Sequence, residues 1–404
     1  MKMIKPVILA ALALAVSIGT ASADEKYRPN ISAGWSYSNV TNTDGLASQF
    51  IDRNGHSSYF IQVGFDTHPG GEFDAFQEIL NYPTFGLGAA FDNYSSMQFK
   101  NNSRLGDFVN LYAFMEGAFY KHKYFSIGYF ANFGVGFTGV MYDRYTNPLE
   151  INIGAPISVY MAFGPQVKLR PADHVELILN ANWYHHSTGN TWMPNWGLND
   201  MALGAELRYD IDKPYTEQVR KLTREHVFEK KMHYDIYATY GVQASKTEFK
   251  AYNLAVENPD EKQVSFTSRP RVSLGFDAMY RYCLLCSTGI AIDCVYAPYC
   301  DMLRACDVKL HGEKAVEEGP GYSPFVCSLG FAHEFHYGNV SAYCGASYYL
   351  LRKAGIEDDH GKFFQRAGMR FHFPKWKNTF LGWCIRATQF CNADYFEFQF
   401  GIRI

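Results

Sequence analysis

Apolar and polar residues alternate through much of the chain, the period-two pattern of a β-strand whose two faces meet different surroundings. The stretch 175–211 shows it best. Val175, Leu177, Leu179, Ala181, Trp183, His185 and Ser187 share one face, and Glu176, Ile178, Asn180, Asn182, Tyr184 and His186 share the other. After a turn rich in Gly, Asn, Pro and Trp, a second apolar face runs through Met201, Leu203, Ala205, Leu207, Tyr209 and Ile211. Gly204, Glu206, Arg208 and Asp210 oppose it. A His and a Ser that continue an apolar face at its end call for an explanation beyond packing.

Segments of this kind, roughly 9–12 residues long, recur along the chain, and that length crosses a bilayer when the strand is tilted. The pattern predicts strands at 30–40, 58–67, 84–95, 107–120, 124–140, 156–170, 175–187 and 200–211. It predicts eight more at 232–246, 266–283, 286–297, 323–337, 340–351, 363–373, 380–390 and 394–404. Long, numerous, aromatic-rich strands with apolar and polar faces fit an all-β transmembrane antiparallel barrel, which satisfies every backbone group inside lipid. The expectation is one closed barrel of about 14–16 strands; the alternative is an eight-stranded barrel plus a second β unit. In such a barrel both termini face the periplasm, so strand 175–187 runs outward and delivers His185 and Ser187 near the cell-surface end, on the lipid side.

Composition sharpens this picture. Residues 1–23 read as a cleavable signal peptide, with Lys2 and Lys5 before an apolar stretch and Ala21-Ser22-Ala23 as the small-residue cleavage site. The expected location is the outer membrane of a Gram-negative bacterium. Segment 24–213 is the first barrel half, 214–231 a charged connector that is either a short helix or a solvated turn, and 232–404 the second half. Aromatic residues make up 17% of the chain, with Trp183, Trp192 and Trp196 placed as interfacial or acyl-chain contacts. A net charge of −3 gives no reason to expect a nucleic-acid partner. All nine cysteines lie in the second half, from Cys283 to Cys391. Cys283 and Cys286 form a C-x-x-C with no second pair at zinc spacing, so the cysteines read as packing residues or disulfides.

Candidate chemistry centres on His185 and Ser187. Asn199 is in phase with Met201 and Leu203 and points to the same side. The turn after the Ser, through Gly189 and Asn190, offers backbone N–H groups to an oxyanion. His186 faces the other way and reads as a structural lumenal residue; so do Asn180, Asn182, Glu206 and Arg208, as a polar network bracing the wall.

The run His185-His186-Ser187-Thr188-Gly189-Asn190-Thr191, followed by Pro194-Asn195-Trp196-Gly197-Leu198-Asn199, resembles the H-x-S-N-G…P-N-x-G signature of outer-membrane lipid A 3-O-deacylases, the PagL-like acyloxyacyl hydrolases. Tyr82–Gly86 and Asn147–Gly154 are similar to stretches of larger members, and the resemblance covers roughly residues 60–211. It implies a serine esterase that removes a (3-hydroxy)acyl chain from lipid A, or lipopolysaccharide, among the outer-membrane lipids. Ser187 would be the nucleophile, His185 the general base, Asn199 the orienting residue, and the backbone of Thr188, Gly189 and Asn190 the oxyanion hole. Family members carry Glu at the Asn199 position and Asn at the Thr188 position. Asp200 is out of phase and is not expected to substitute. No metal-ligand set is legible, and the implied hydrolysis needs no cofactor. Two other classes compete: a non-catalytic outer-membrane channel or structural barrel with a vestigial motif, and a secreted β-sandwich binding module.

Overall fold

The computed structural model describes residues 27–41, 55–69, 74–97, 103–211, 228–254, 268–358, 361–389 and 392–404. The signal-peptide segment and residues 214–227 of the charged connector lie outside these. Sixteen strands form: β1 (Tyr27–Val40), β2 (His56–Thr67), β3 (Thr84–Asp92), β4 (Phe108–Lys121), β5 (Phe125–Thr138), β6 (Ile157–Ala172), β7 (Val175–Ser187) and β8 (Leu198–Asp210). They are followed by β9 (Lys231–Gln243), β10 (Arg269–Arg281), β11 (Cys286–Tyr296), β12 (Phe325–Tyr337), β13 (Val340–Leu351), β14 (Phe363–Phe373), β15 (Thr379–Thr388) and β16 (Asn392–Arg403). Every pairing is antiparallel between chain neighbours, except the two that close the sheets.

Those two pairings correct the expectation of one large barrel. β1 pairs with β8, from Asn30↔Asp210 to Val40↔Asp200, and β9 pairs with β16, from Asp235↔Arg403 to Val242↔Phe396. The chain therefore closes twice, as two eight-stranded barrels. Eight strands enclose an interior just wide enough for side chains to fill, and the lumenal residues here are bulky Arg, Tyr, Phe and Glu that fill it. Alternation is the same in an eight- and a sixteen-stranded barrel, so it does not count closures. Among the described residues, the first unit holds those up to Thr188 and those from Trp196 to Ile211; the second holds Gly189–Asn195 and those from 228 to 404.

The first barrel presents an apolar outside and a polar inside. Leu203 is 71% exposed on the outer face of β8, whereas Arg208, on the opposite face, is 1% exposed. Arg208 donates to Glu116 at 2.7 Å and Glu206 at 3.0 Å, and Lys168 pairs with Glu116 at 2.6 Å. Two lumenal cavities among the described residues measure about 40–50 Å³. At one end β4 joins β5 and β6 joins β7 through short turns at 122–124 and 173–174, and the β2–β3 link there carries the helix Asp74–Ile79; at the other end β5 joins β6 through 139–156 and β7 joins β8 through 188–197. His185 and Ser187 lie at this second end.

The second barrel repeats the scheme. Leu274 and Phe331 stand 71% exposed on its outer wall. Inside, Arg370 is fully buried and reaches Asp235 at 3.0 Å, Asp277 at 2.8 Å, Glu334 at 3.1 Å and Gln399 at 3.0 Å. Arg366 holds Glu397 at 2.6 Å, and Arg386 holds Asp293 at 2.7 Å. Helices α1 (Asp74–Ile79), α2 (Lys246–Phe249), α3 (Cys300–His311) and α4 (Glu313–Glu317) occupy connecting segments. The search for alternation passes over helices of this kind. Cys283 lies in the β10–β11 turn, where its carbonyl accepts from the N–H of Cys286 at 3.4 Å.

Truncating Arg370 would remove the guanidinium that Asp277 pairs with and that Asp235 and Glu334 share with Arg403, a loss of about 3–5 kcal/mol when one partner of a buried pair is removed. Arg370→Ala is expected to lower the urea unfolding midpoint in lipid vesicles markedly, while outward Leu274→Ala shifts it little; equal midpoints for wild type and Arg370→Ala would refute the reading.

Candidate active site

Strand register builds the arrangement around His185. β7 and β8 pair with Tyr184 opposite Asp200, His185 opposite Asn199 and His186 opposite Leu198. Because faces alternate, the His185–Asn199 pair points to one side of the wall and Tyr184 and Asp200 to the other. On the outer side His185 Nδ1 lies 2.8 Å from Asn199 Oδ1. An amide oxygen only accepts, so Nδ1 carries the proton and Nε2 is left as the basic nitrogen. Ser187 follows two residues on, about 6.6 Å along the strand, on the same side as His185, opposite Val159 of β6 and 4% exposed.

Three contacts fix the imidazole. The Trp183 indole stacks on it with ring centroids 5.6 Å apart and an interplanar angle of 6°. Asn199 holds Nδ1. Gly197 covers the ring edge: its φ is +72°, and a Cβ there would fall 2.8 Å from His185 Cε1. Only glycine meets both demands without strain.

The segment 139–156 props up that glycine, a role the sequence reading did not assign. The Trp196 and Gly197 N–H groups donate to the carbonyls of Ile151 at 3.2 Å and Asn152 at 3.1 Å. Glu150, 1% exposed, turns back so that Oε1 accepts the N–H groups of Asn152 and Ile153, both at 3.1 Å. Burial lifts its carboxyl to about 8, against the opposing pull of those two backbone donors. In sequence these residues were legible only as a stretch similar to larger family members.

On the lumenal side lies a separate buried network. Asp200 accepts from Tyr94 at 2.6 Å and pairs with His56 at 3.0 Å. His186 Nε2 meets Asp92 at 3.1 Å, its ring packs on Phe108 with centroids 4.2 Å apart, and Asn110 donates to Asp92 at 2.6 Å. Asp200 is thus engaged on the face away from His185. Thr188 is buried, and Trp196 is partly covered. Gly189 and Asn190 group with the second unit, with φ values of +59° and +60°. There the Asn190 side chain donates to the Asp394 carbonyl at 2.8 Å, and its own carbonyl accepts from the Ala244 N–H at 2.8 Å. Trp192, in the same segment, is exposed.

Among the described residues one group, His233, Asp235 and Glu334, gathers ligand atoms within 4.8 Å of one another. Both carboxylates are already held by guanidinium groups, Arg403 at 2.7 Å to each and Arg370 at 3.0 and 3.1 Å. The group is an ion-pair cluster.

Closed antiparallel barrels with apolar outer walls and polar interiors are the membrane-spanning kind found in bacterial outer membranes. Residues 232–404 match the family model described as acyloxyacyl hydrolase, C-terminal domain. The second barrel, which those residues form, is thus similar to that domain. A comparison with curated proteins gave no match. Solved structures with some likeness include OccK5 (OpdH) of Pseudomonas aeruginosa, with 10% identity, 94% of this chain and 98% of that one covered, and a TM-score of 0.20. CdiB of Acinetobacter baumannii shares 9% identity over 93% of this chain and 60% of that one, with a TM-score of 0.17. A porin mutant of Rh. blastica shares 7% over 94% and 100%, also at 0.17. Likeness this faint carries no weight here; the two closures rest on this chain's own strand pairing.

Two outcomes follow. Gly197→Ala should leave the barrel folded, read by heat-shifted gel mobility, yet move the His185 ring, read as a changed imidazole NMR signal; an unmoved signal contradicts the packing described. The Glu150 carboxyl titrates near 8 in the folded barrel, against the ordinary glutamate value of 4.5 in the unfolded chain. Between those values the folded state holds a proton the unfolded chain has released, so stability falls as pH rises from about 4.5 to about 8. Glu150→Gln is expected to flatten that part of the pH–Tm profile; an unchanged slope counts against it.

Proposed function

We propose that this protein is an outer-membrane serine esterase that removes an ester-linked (3-hydroxy)acyl chain from lipid A in the outer leaflet. The observation that carries the reading is the 2.8 Å contact between His185 Nδ1 and Asn199 Oδ1, with Ser187 two residues along on the same side of β7. A serine hydroxyl becomes an effective nucleophile only when a neighbouring imidazole takes its proton and a third group holds that imidazole.

In the proposed reaction Ser187 Oγ attacks the ester carbonyl while His185 Nε2 accepts its proton. The oxyanion is met by the backbone N–H groups of Thr188, Gly189 and Asn190, the residues that follow the serine in the chain. The imidazolium then protonates the departing sugar oxygen as its bond to the acyl carbon breaks, so the sugar leaves as a free hydroxyl and an acyl-Ser187 ester remains. His185 next deprotonates a water that releases the fatty acid and restores the serine. Trp183, against the imidazole, and Trp192 and Trp196 are the proposed acyl-chain or interface contacts. Asn199 orients the ring but brings no charge to offset the imidazolium, so turnover is expected to be slow.

The second reading is a non-catalytic barrel with a vestigial motif, and Asn in place of the family's Glu favours it. Its channel form is opposed by the ion pairs of Arg208 and Lys168 with Glu116 and Glu206, which occupy the first barrel's interior.

Expression in cells with fully acylated lipid A should yield a species lighter by one hydroxyacyl chain in the mass spectrum. Ser187→Ala and His185→Ala should each abolish it while the protein stays folded. Unchanged lipid A with folded wild-type protein removes the esterase reading. Asn199→Glu is expected to raise the rate by roughly tenfold or more, since a carboxylate orienter is worth up to about 10⁴ in such triads.

A further inference from the structure

The outer wall of the second barrel holds two cysteines that nothing in the proposed reaction uses. Cys294 on β11 and Cys327 on β12 are directly opposed in the strand register. Opposed residues of an antiparallel pair have Cα atoms about 4.5–5.5 Å apart, inside the 4.4–6.8 Å that a disulfide spans. Their Sγ atoms face each other 2.6 Å apart. Both side chains lie on the outer face, just before the aromatic pair Tyr296 and Phe325, whose ring centroids are 5.3 Å apart. That pair ends the two strands where segment 297–324, with α3 and α4, begins and returns.

We propose that Cys294 and Cys327 are joined by a disulfide that staples β11 to β12 at the base of this segment. An outer-membrane barrel passes through the oxidising periplasm, where such bonds form and persist. The oxidant is a disulfide-bearing thiol oxidoreductase of that compartment. The thiolate of one cysteine attacks the carrier's disulfide to give a mixed disulfide and one carrier thiol. The thiolate of the other then attacks the protein sulfur of that mixed bond. The Cys294–Cys327 bond forms, and two electrons and two protons leave on the reduced carrier. Four other described thiols lack this geometry: Cys300 and Cys306 lie on α3, Cys344 on the outer face of β13, and Cys384 is buried on β15.

The full-length protein, taken from membranes with its free thiols trapped by iodoacetamide, tests this by tandem mass spectrometry after chymotryptic digestion. The expected result is a peptide pair joining Cys294 to Cys327, lighter by two hydrogens than the separate thiols and absent after reduction with dithiothreitol. Cys294→Ser should leave Cys327 fully alkylated, and Cys327→Ser should do the same for Cys294. Alkylation of both residues in folded, unreduced wild type, or bonding of either to another cysteine, overturns the proposal. The wild-type map decides the matter even if a serine variant fails to assemble.

Discussion

The structure depends on closure. A strand edge in lipid exposes N–H and C=O groups that no water can satisfy, at several kcal/mol each. The chain meets this twice, where β8 returns to β1 and where β16 returns to β9. Once closed at eight strands, each interior is too narrow for a wide aqueous lumen and must be filled. Charged side chains fill it, and they are stable there because they come in matched sets: Arg208 among glutamates in one barrel, Arg370 among Asp235, Asp277 and Glu334 in the other. Filling braces each barrel wall from within.

The arrangement around His185 uses that bracing. A catalytic group is best carried on an element whose neighbours lock its rotamer. His185 sits on a strand in the middle of a run of paired strands, with Trp183 on one ring face, Asn199 at Nδ1 and Gly197 at the ring edge. The lumenal network on the opposite side, with Asp200 tied to His56 and Tyr94, and His186 to Asp92, braces the same strand ends from within. Two histidines adjacent in sequence therefore have different surroundings, because consecutive strand residues face opposite ways.

How much of this was legible varies with the physical range of each feature. All sixteen strands were readable, because period two is imposed residue by residue by the contrast between lipid and lumen. The phase of Asn199 relative to His185 was readable for the same reason. The support from Glu150 through Asn152 to Gly197 was not, because it links segments some 45 residues apart through backbone hydrogen bonds that carry no side-chain signature. Helix α3 was missed because it interrupts the alternation on which the reading was built. Cysteine partners were unreadable too, since pairing Cys294 with Cys327 needs the register of β11 on β12.

By itself, the sequence determined which segments are strands, which face of each is apolar, and that His185 and Ser187 share a face at the end of one. Each follows from local contrast between neighbouring residues. Only the tertiary structure decided that the strands close eight and eight, that His185 stands directly opposite Asn199, and that Asp200 is engaged elsewhere. An alternating strand states how it meets lipid and lumen but not which strand lies beside it. Closure and register are choices of partner, set by how the assembled side chains fill the space between them.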